Sequence, residues 1–143
     1  ILYERFGDCR RLISGRTALM NEYHGFISRL SSELAPGSLI IDCHSFPSDL
    51  ADIDICIGYN DDASKPEQEM IDKATHLFDR AGFKVGLNNP YSNSITPKKP
   101  IDYKSLMIEV NKRCYMNEGT LARTVGYDII SGLVNDFYRL VLA

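Results

Sequence analysis

Apolar positions recur along this chain at two spacings. In TALMNEYHGFISRLSSEL, residues Leu19, Met20, Tyr23, Phe26, Ile27, Leu30 and Leu34 fall three or four apart, which predicts an amphipathic helix stopped by Pro36-Gly37. Leu39 to Ile41 and Ile53 to Ile57 are short apolar runs of strand character. KPEQEMIDKATHLFDRAG predicts a second helix, with Pro66 in its first turn and Gly82 at its end. FKVGL predicts a third strand, NNPYSNSITPKKPID a polar loop, SLMIEVNKR a fourth strand, and Thr120 to Val141 a closing helix. Strands that lack strict alternation and are interleaved with helices predict an α/β fold, a sheet covered on both faces. No repeat, low-complexity segment or interdomain linker interrupts the pattern, so residues 1–143 read as a single domain.

The pattern is broken at informative places. LIIDCHSF begins as a buried strand and runs directly into Asp42, Cys43, His44 and Ser45, groups that are costly to bury without partners. Glu109 interrupts the apolar run of LMIEV, and Asn88-Asn89 follow FKVGL. In open α/β sheets ligands bind beyond the carboxyl ends of strands, which makes these positions candidates for chemistry. Each also has a plain structural role: a hydrogen-bonded histidine at a strand end, a turn or cap acceptor for Asp42, a turn at Asn88-Asn89-Pro90, and for Glu109 an ion pair with Lys112 or Arg113.

Composition narrows the function classes. A chain of 143 residues, 44% hydrophobic and 24% charged, can bury a core, and its formal charge of -3 comes without a basic cluster. That excludes a nucleic-acid surface, which needs a phosphate-neutralising stripe. No apolar run approaches the ~20 residues that span a bilayer, and the start lacks a signal-peptide layout. Cys9, Cys43, Cys56 and Cys114 form no C-x-x-C pair, and a reducing cytoplasm fits them best. The opening ILYERFGD has no initiator methionine and reads like the end of a strand or hairpin, as in a piece of a longer chain.

Five blocks in order, LYERF with RRLI and LMNEYHGFISRL, LIIDCHSFPSDL, DIDICIG, GFKVGLNNPYSNSIT and SLMIEVNKRCYMNEG, resemble the N-formylglutamate amidohydrolase family of zinc hydrolases. The resemblance implies a three-layer, zinc-carboxypeptidase-like fold with a mixed, mostly parallel sheet between helices, of which this chain is the C-terminal portion. It implies that His44 is a zinc ligand, that Asp42 supports it from behind, and that Glu109 is the general base. It implies hydrolysis of the formyl amide of N-formyl-L-glutamate to formate and glutamate, in histidine breakdown. A substrate with two carboxylates needs cationic or amide donors, for which Arg11 and Asn88, then Tyr91 and Arg113, are the candidates. The family's other two ligands, a histidine and an acidic residue, lie in a segment before this sequence begins. His24 and His76 sit in no matching block, and Ser92-Asn93 stand where the family has a Gly-Gly pair.

Three other functions compete. A carboxylate-binding or interaction domain would retain the fold with an incomplete metal site. A related amidohydrolase would act on γ-glutamyl or other N-acyl amino acids by the same mechanism. A thiol hydrolase would use Cys43 with His44, but adjacent strand residues point to opposite faces.

Overall fold

The computed structural model describes residues 13–142 of the chain, which form two units. The smaller unit contains α1 (Ile13–Glu33) and residues 97–100, where the Lys99 ammonium donates to the Leu34 carbonyl at 2.5 Å. The expected helix is present, but Leu19, Met20, Tyr23 and Phe26 on its apolar stripe are exposed.

The larger unit, residues 35–96 and 101–143, holds a four-stranded sheet. Its strands are β1 (Ser38–Phe46), β2 (Ile55–Tyr59), β3 (Val85–Leu87) and β4 (Tyr103–Asn111), in the order β1-β4-β2-β3. β1 pairs parallel with β4, β2 pairs parallel with β3, and β2 pairs antiparallel with β4. The sheet is therefore mixed and mostly parallel, in an α/β fold with flanking helices. β4 lies inside the sheet and is buried along nearly its whole length, which explains a sequence that does not alternate.

Helices α2 (Gln68–Arg80) and α3 (Gly126–Leu142) complete this unit. In α2, Ile71, Ala74 and Phe78 recur at helical spacing and are fully buried, while Glu69 and Lys73 pair across one turn on the outside. Gly82, at φ 89°, supplies the left-handed residue just beyond the helix end. Ile130 and Phe137 of α3 join these residues and Ile55, Ile57, Leu106, Ile108 and Val110 of the sheet in one core. Removing Phe78 to alanine would cost about 3–5 kcal/mol, the usual loss for a buried aromatic. The opposite face carries a smaller cluster of Phe46, Ile53, Cys56 and Met107.

Several boundaries differ from the sequence expectation: β3 starts at Val85 and not Phe83, β4 runs Tyr103–Asn111 and not 105–113, and α2 starts at Gln68 after its N-cap Glu67, so Pro66 lies before the helix and not in its first turn. β1 extends through Phe46, because nine consecutive residues find register partners on β4, so Asp42 and His44 lie within a strand. β2 starts two residues later than expected. The closing helix starts at Gly126, after a turn in which the Asn117 side chain accepts from the backbone N–H groups of Gly119 and Thr120.

Candidate active site

Strand alternation sorts the polar residues of β1. Asp42, His44 and Phe46 leave one face, Cys43 and Ser45 the other. Glu109 is the register partner of His44 on the parallel side and of Cys56 on the antiparallel side. Cross-strand partners share a face, so His44, Glu109 and Cys56 form one row across three strands, with Asp42 beside it.

The row is tied by specific contacts. His44 Nε2 lies 2.6 Å from Asp42 Oδ1, and Asp42 Oδ2 accepts the Ile95 N–H at 3.2 Å. His44 is half exposed, whereas Asp42 and Glu109 are only 9% and 7% exposed. An Nε2–H held by a carboxylate leaves Nδ1 as the nitrogen with a free lone pair. Glu109 Oε2 is buried and, among the described residues, has no hydrogen-bond partner. Burial pushes the Glu109 carboxyl pKa up; the His44 ring opposes this rise and the Asp42 charge adds to it. Such a carboxylate is poised to take a proton.

The polar loop after β3 crosses this face. Asn88 donates its N–H to the Ile57 carbonyl and accepts the Tyr59 N–H on Oδ1, both at 2.9 Å, so its side chain extends the pairing at the edge of β2. The Tyr91 carbonyl accepts the Cys56 thiol at 3.2 Å, and its ring meets Phe46 edge-on with centroids 6.5 Å apart. Two glycines allow this close approach. A Cβ on Gly58 would meet the Met107 side chain and, at 3.1 Å, the Asn93 carbonyl oxygen; one on Gly86 would meet the Asn89 carbonyl oxygen at 2.8 Å.

The structure thus brings Asp42, His44, Glu109 and Tyr91 to one face. Asn88 is committed to the β2 edge. Arg113 donates through Nε and Nη2 to Asp54 Oδ1, at 3.0 and 2.9 Å, and pairs with Asp52 at 3.4 Å. Arg11 lies outside the described residues. Cys56 and the Ile95 N–H were not singled out in the sequence, although alternation in DIDICIG separates Cys56 from Ile55 and Ile57.

Cys43 is on the other face, its sulfur 3.6 Å from the Tyr138 hydroxyl. It borders a cleft of about 610 Å³ lined by Ser45, Val110, Tyr115, Tyr127 and Asn135. His44 also borders that cleft, but neither Asp42 nor Glu109 does, so cavity size and the concentration of chemistry point to different faces. The buried carboxylates identify the candidate site. The separation of Cys43 from the Asp42–His44 pair removes the geometry that a thiol hydrolase would need.

The α/β scaffold is shared with a known structure. The crystal structure of N-formylglutamate amidohydrolase from Ralstonia eutropha JMP134, at 2.00 Å resolution, matches with a TM-score of 0.57 and 23% identity, over 89% of this chain and 48% of that one. This chain therefore spans about half the length of that protein. The family model for N-formylglutamate amidohydrolase matches residues 14–116, and the chain belongs to that family. No curated protein matches it.

Proposed function

We propose that this chain carries the base and one metal ligand of a zinc-dependent amidohydrolase that cleaves the formyl amide of N-formyl-L-glutamate. The observation carrying this reading is the row of His44 and Glu109 on adjacent strands, one steadied by Asp42 and the other left with a buried oxygen without a partner among the described residues. Those donors fit part of a zinc centre: an imidazole whose other nitrogen is held by a carboxylate is the usual arrangement for a ligating histidine. Among the described residues no three His, Cys, Asp or Glu side chains come together to hold a metal, and a catalytic zinc takes three protein ligands. Two ligands would thus have to come from elsewhere in the protein.

When bound, zinc supplies Lewis acidity, polarising an amide carbonyl and making a water easier to deprotonate. In this reading Glu109 takes the proton from that water and delivers it to the nitrogen as the C–N bond breaks, giving formate and a free amine. Asp42 holds the His44 ring in one tautomer. The loop carrying Tyr91 lies on the sheet beside Glu109, its Tyr91 carbonyl accepting the Cys56 thiol. A small N-acyl amino acid is the proposed partner. The described cysteines Cys43, Cys56 and Cys114 are free thiols, which supports a reducing cytoplasm, and no described helix is long and apolar enough to cross a membrane.

The test is formate release from N-formyl-L-glutamate by the intact protein, with and without zinc, beside Glu109→Gln. Zinc-dependent turnover that falls at least about a hundredfold in the variant supports the reaction and the base. A folded protein that holds no zinc and releases no formate refutes it in favour of a carboxylate-binding domain.

A further inference from the structure

A chain of buried polar groups leads from the far end of the sheet to Asp42. The Asn60 amide donates through Nδ2 to Ser64 Oγ and the Ser94 carbonyl, and accepts the Ser94 N–H on Oδ1. Ser105, fully buried on β4, donates its hydroxyl to the Ile95 carbonyl at 2.6 Å. Ser105 Oγ is also 2.7 Å from Ser94 Oγ. Because the one Ser105 proton is directed at Ile95, Ser94 must be the donor in that contact. Residues 94 and 95 are thereby fastened to the sheet by both carbonyls, one backbone N–H and one hydroxyl. The remaining N–H, that of Ile95, meets Asp42 Oδ2.

A carboxylate that accepts from His44 on one oxygen and from a fixed backbone N–H on the other cannot rotate without losing a partly buried hydrogen bond. We propose that Ser105, assisted by Ser94 and Asn60, is a positioning residue that locks the Asp42 carboxylate and thereby sets which His44 nitrogen carries the proton. The proposal rests on the reading of His44 as a metal ligand, since the locked ring is the one that offers Nδ1 outward. Position 105 shares its face with Glu109, four residues along β4, so the same strand carries the base and the anchor of the lock.

The experiment compares the intact metal-free protein with Ser105→Ala by the ¹⁵N shifts of the His44 ring and by exchange of the Ile95 amide, then measures zinc affinity by chelator competition. The wild type is expected to hold the Nε2–H tautomer and a protected Ile95 amide. Ser105→Ala is expected to mix the tautomers, speed Ile95 exchange and weaken zinc binding about tenfold, as for other outer partners of a ligating histidine. A folded Ser105→Ala with the wild-type tautomer and unchanged Ile95 exchange overturns the proposal. Should that variant fail to fold, Ser94→Ala, which removes only the hydroxyl link, is read the same way, and an unchanged tautomer ratio is again decisive against it. If the wild type binds no zinc, the metal reading fails, while tautomer and exchange still decide on the lock.

Discussion

Glu109 and His44 stand opposite each other on neighbouring parallel strands, and the imidazole is steadied by Asp42 while the Glu109 carboxyl keeps one buried oxygen without a partner among the described residues. A buried oxygen without a hydrogen bond is costly for the fold, and that cost is measurable.

Glu109→Gln is expected to stabilise the metal-free protein. Burial raises the Glu109 pKa above its unfolded value, so between the two values the folded state holds more protons than the unfolded one, and stability falls as pH rises. The cost is complete above the folded pKa and absent below the ordinary glutamate range. Thermal melts should show the variant more stable than wild type at pH 7, the two converging below the ordinary glutamate range. Equal stability at pH 7 would show that the charge is not buried.

Alkylation of Cys43 is expected to leave formate release within about twofold of the untreated protein. Its thiol faces Tyr138 on the α3 side of the sheet, and it is exposed, whereas Cys56 is buried and its pKa is raised by that burial. Mass spectrometry should find the label on Cys43 before Cys56, and turnover should survive it. Loss of turnover in step with Cys43 labelling would restore the thiol reading.

Much of this site was legible in the sequence because its residues break a rule: Glu109 stands in an apolar strand, and Asp42 and His44 continue one. That Asp42 and His44 converge with Glu109 is expected from the family resemblance and not from spacing, because register between strands more than sixty residues apart is set by tertiary packing. The serines at 94 and 105 and Asn60 carry no comparable signal. Ser and Asn are ordinary surface and turn residues, and these three are buried where a polar loop lies on the face of the sheet that carries Gly58 and Gly86. Arg113 has partners that the sequence does not place beside it. The acidic residues that engage it, Asp52 and Asp54, reach it only through the antiparallel pairing of β2 with β4.

Arg113→Ala should therefore lower stability and leave KM for N-formyl-L-glutamate unchanged. The Arg113–Asp54 pair is partly exposed, so its loss costs no more than about 1 kcal/mol. Burial acts to raise the Asp54 pKa, but the Lys84 N–H and the Arg113 guanidinium outweigh it and hold the carboxyl below its usual range. For a depressed carboxyl the stabilisation is present above the unfolded pKa and is lost as pH falls through the folded one. Denaturant midpoints of wild type and variant should differ at pH 7 and draw together in strong acid. A rise in KM without loss of stability would return Arg113 to the substrate site.

Gly86→Ala is expected to damage the site from a distance. A methyl group there meets the Asn89 carbonyl oxygen at 2.8 Å, and a backbone atom cannot turn aside as a side chain can. At Gly58 the main obstacle is the flexible end of Met107, with the Asn93 carbonyl farther away at 3.1 Å. Gly58→Ala should thus cost about 1 kcal/mol and Gly86→Ala nearer 3, with the second lifting the loop that carries Tyr91, Ser94 and Ile95. Because that loop supplies the N–H held by Asp42 Oδ2, Gly86→Ala should also speed exchange of the Ile95 amide more than Gly58→Ala does. Hydrogen exchange on the two variants checks both the order and the route; equal effects on Ile95 would mean that the loop is held by its polar contacts alone and that the space above Gly86 has no part in it.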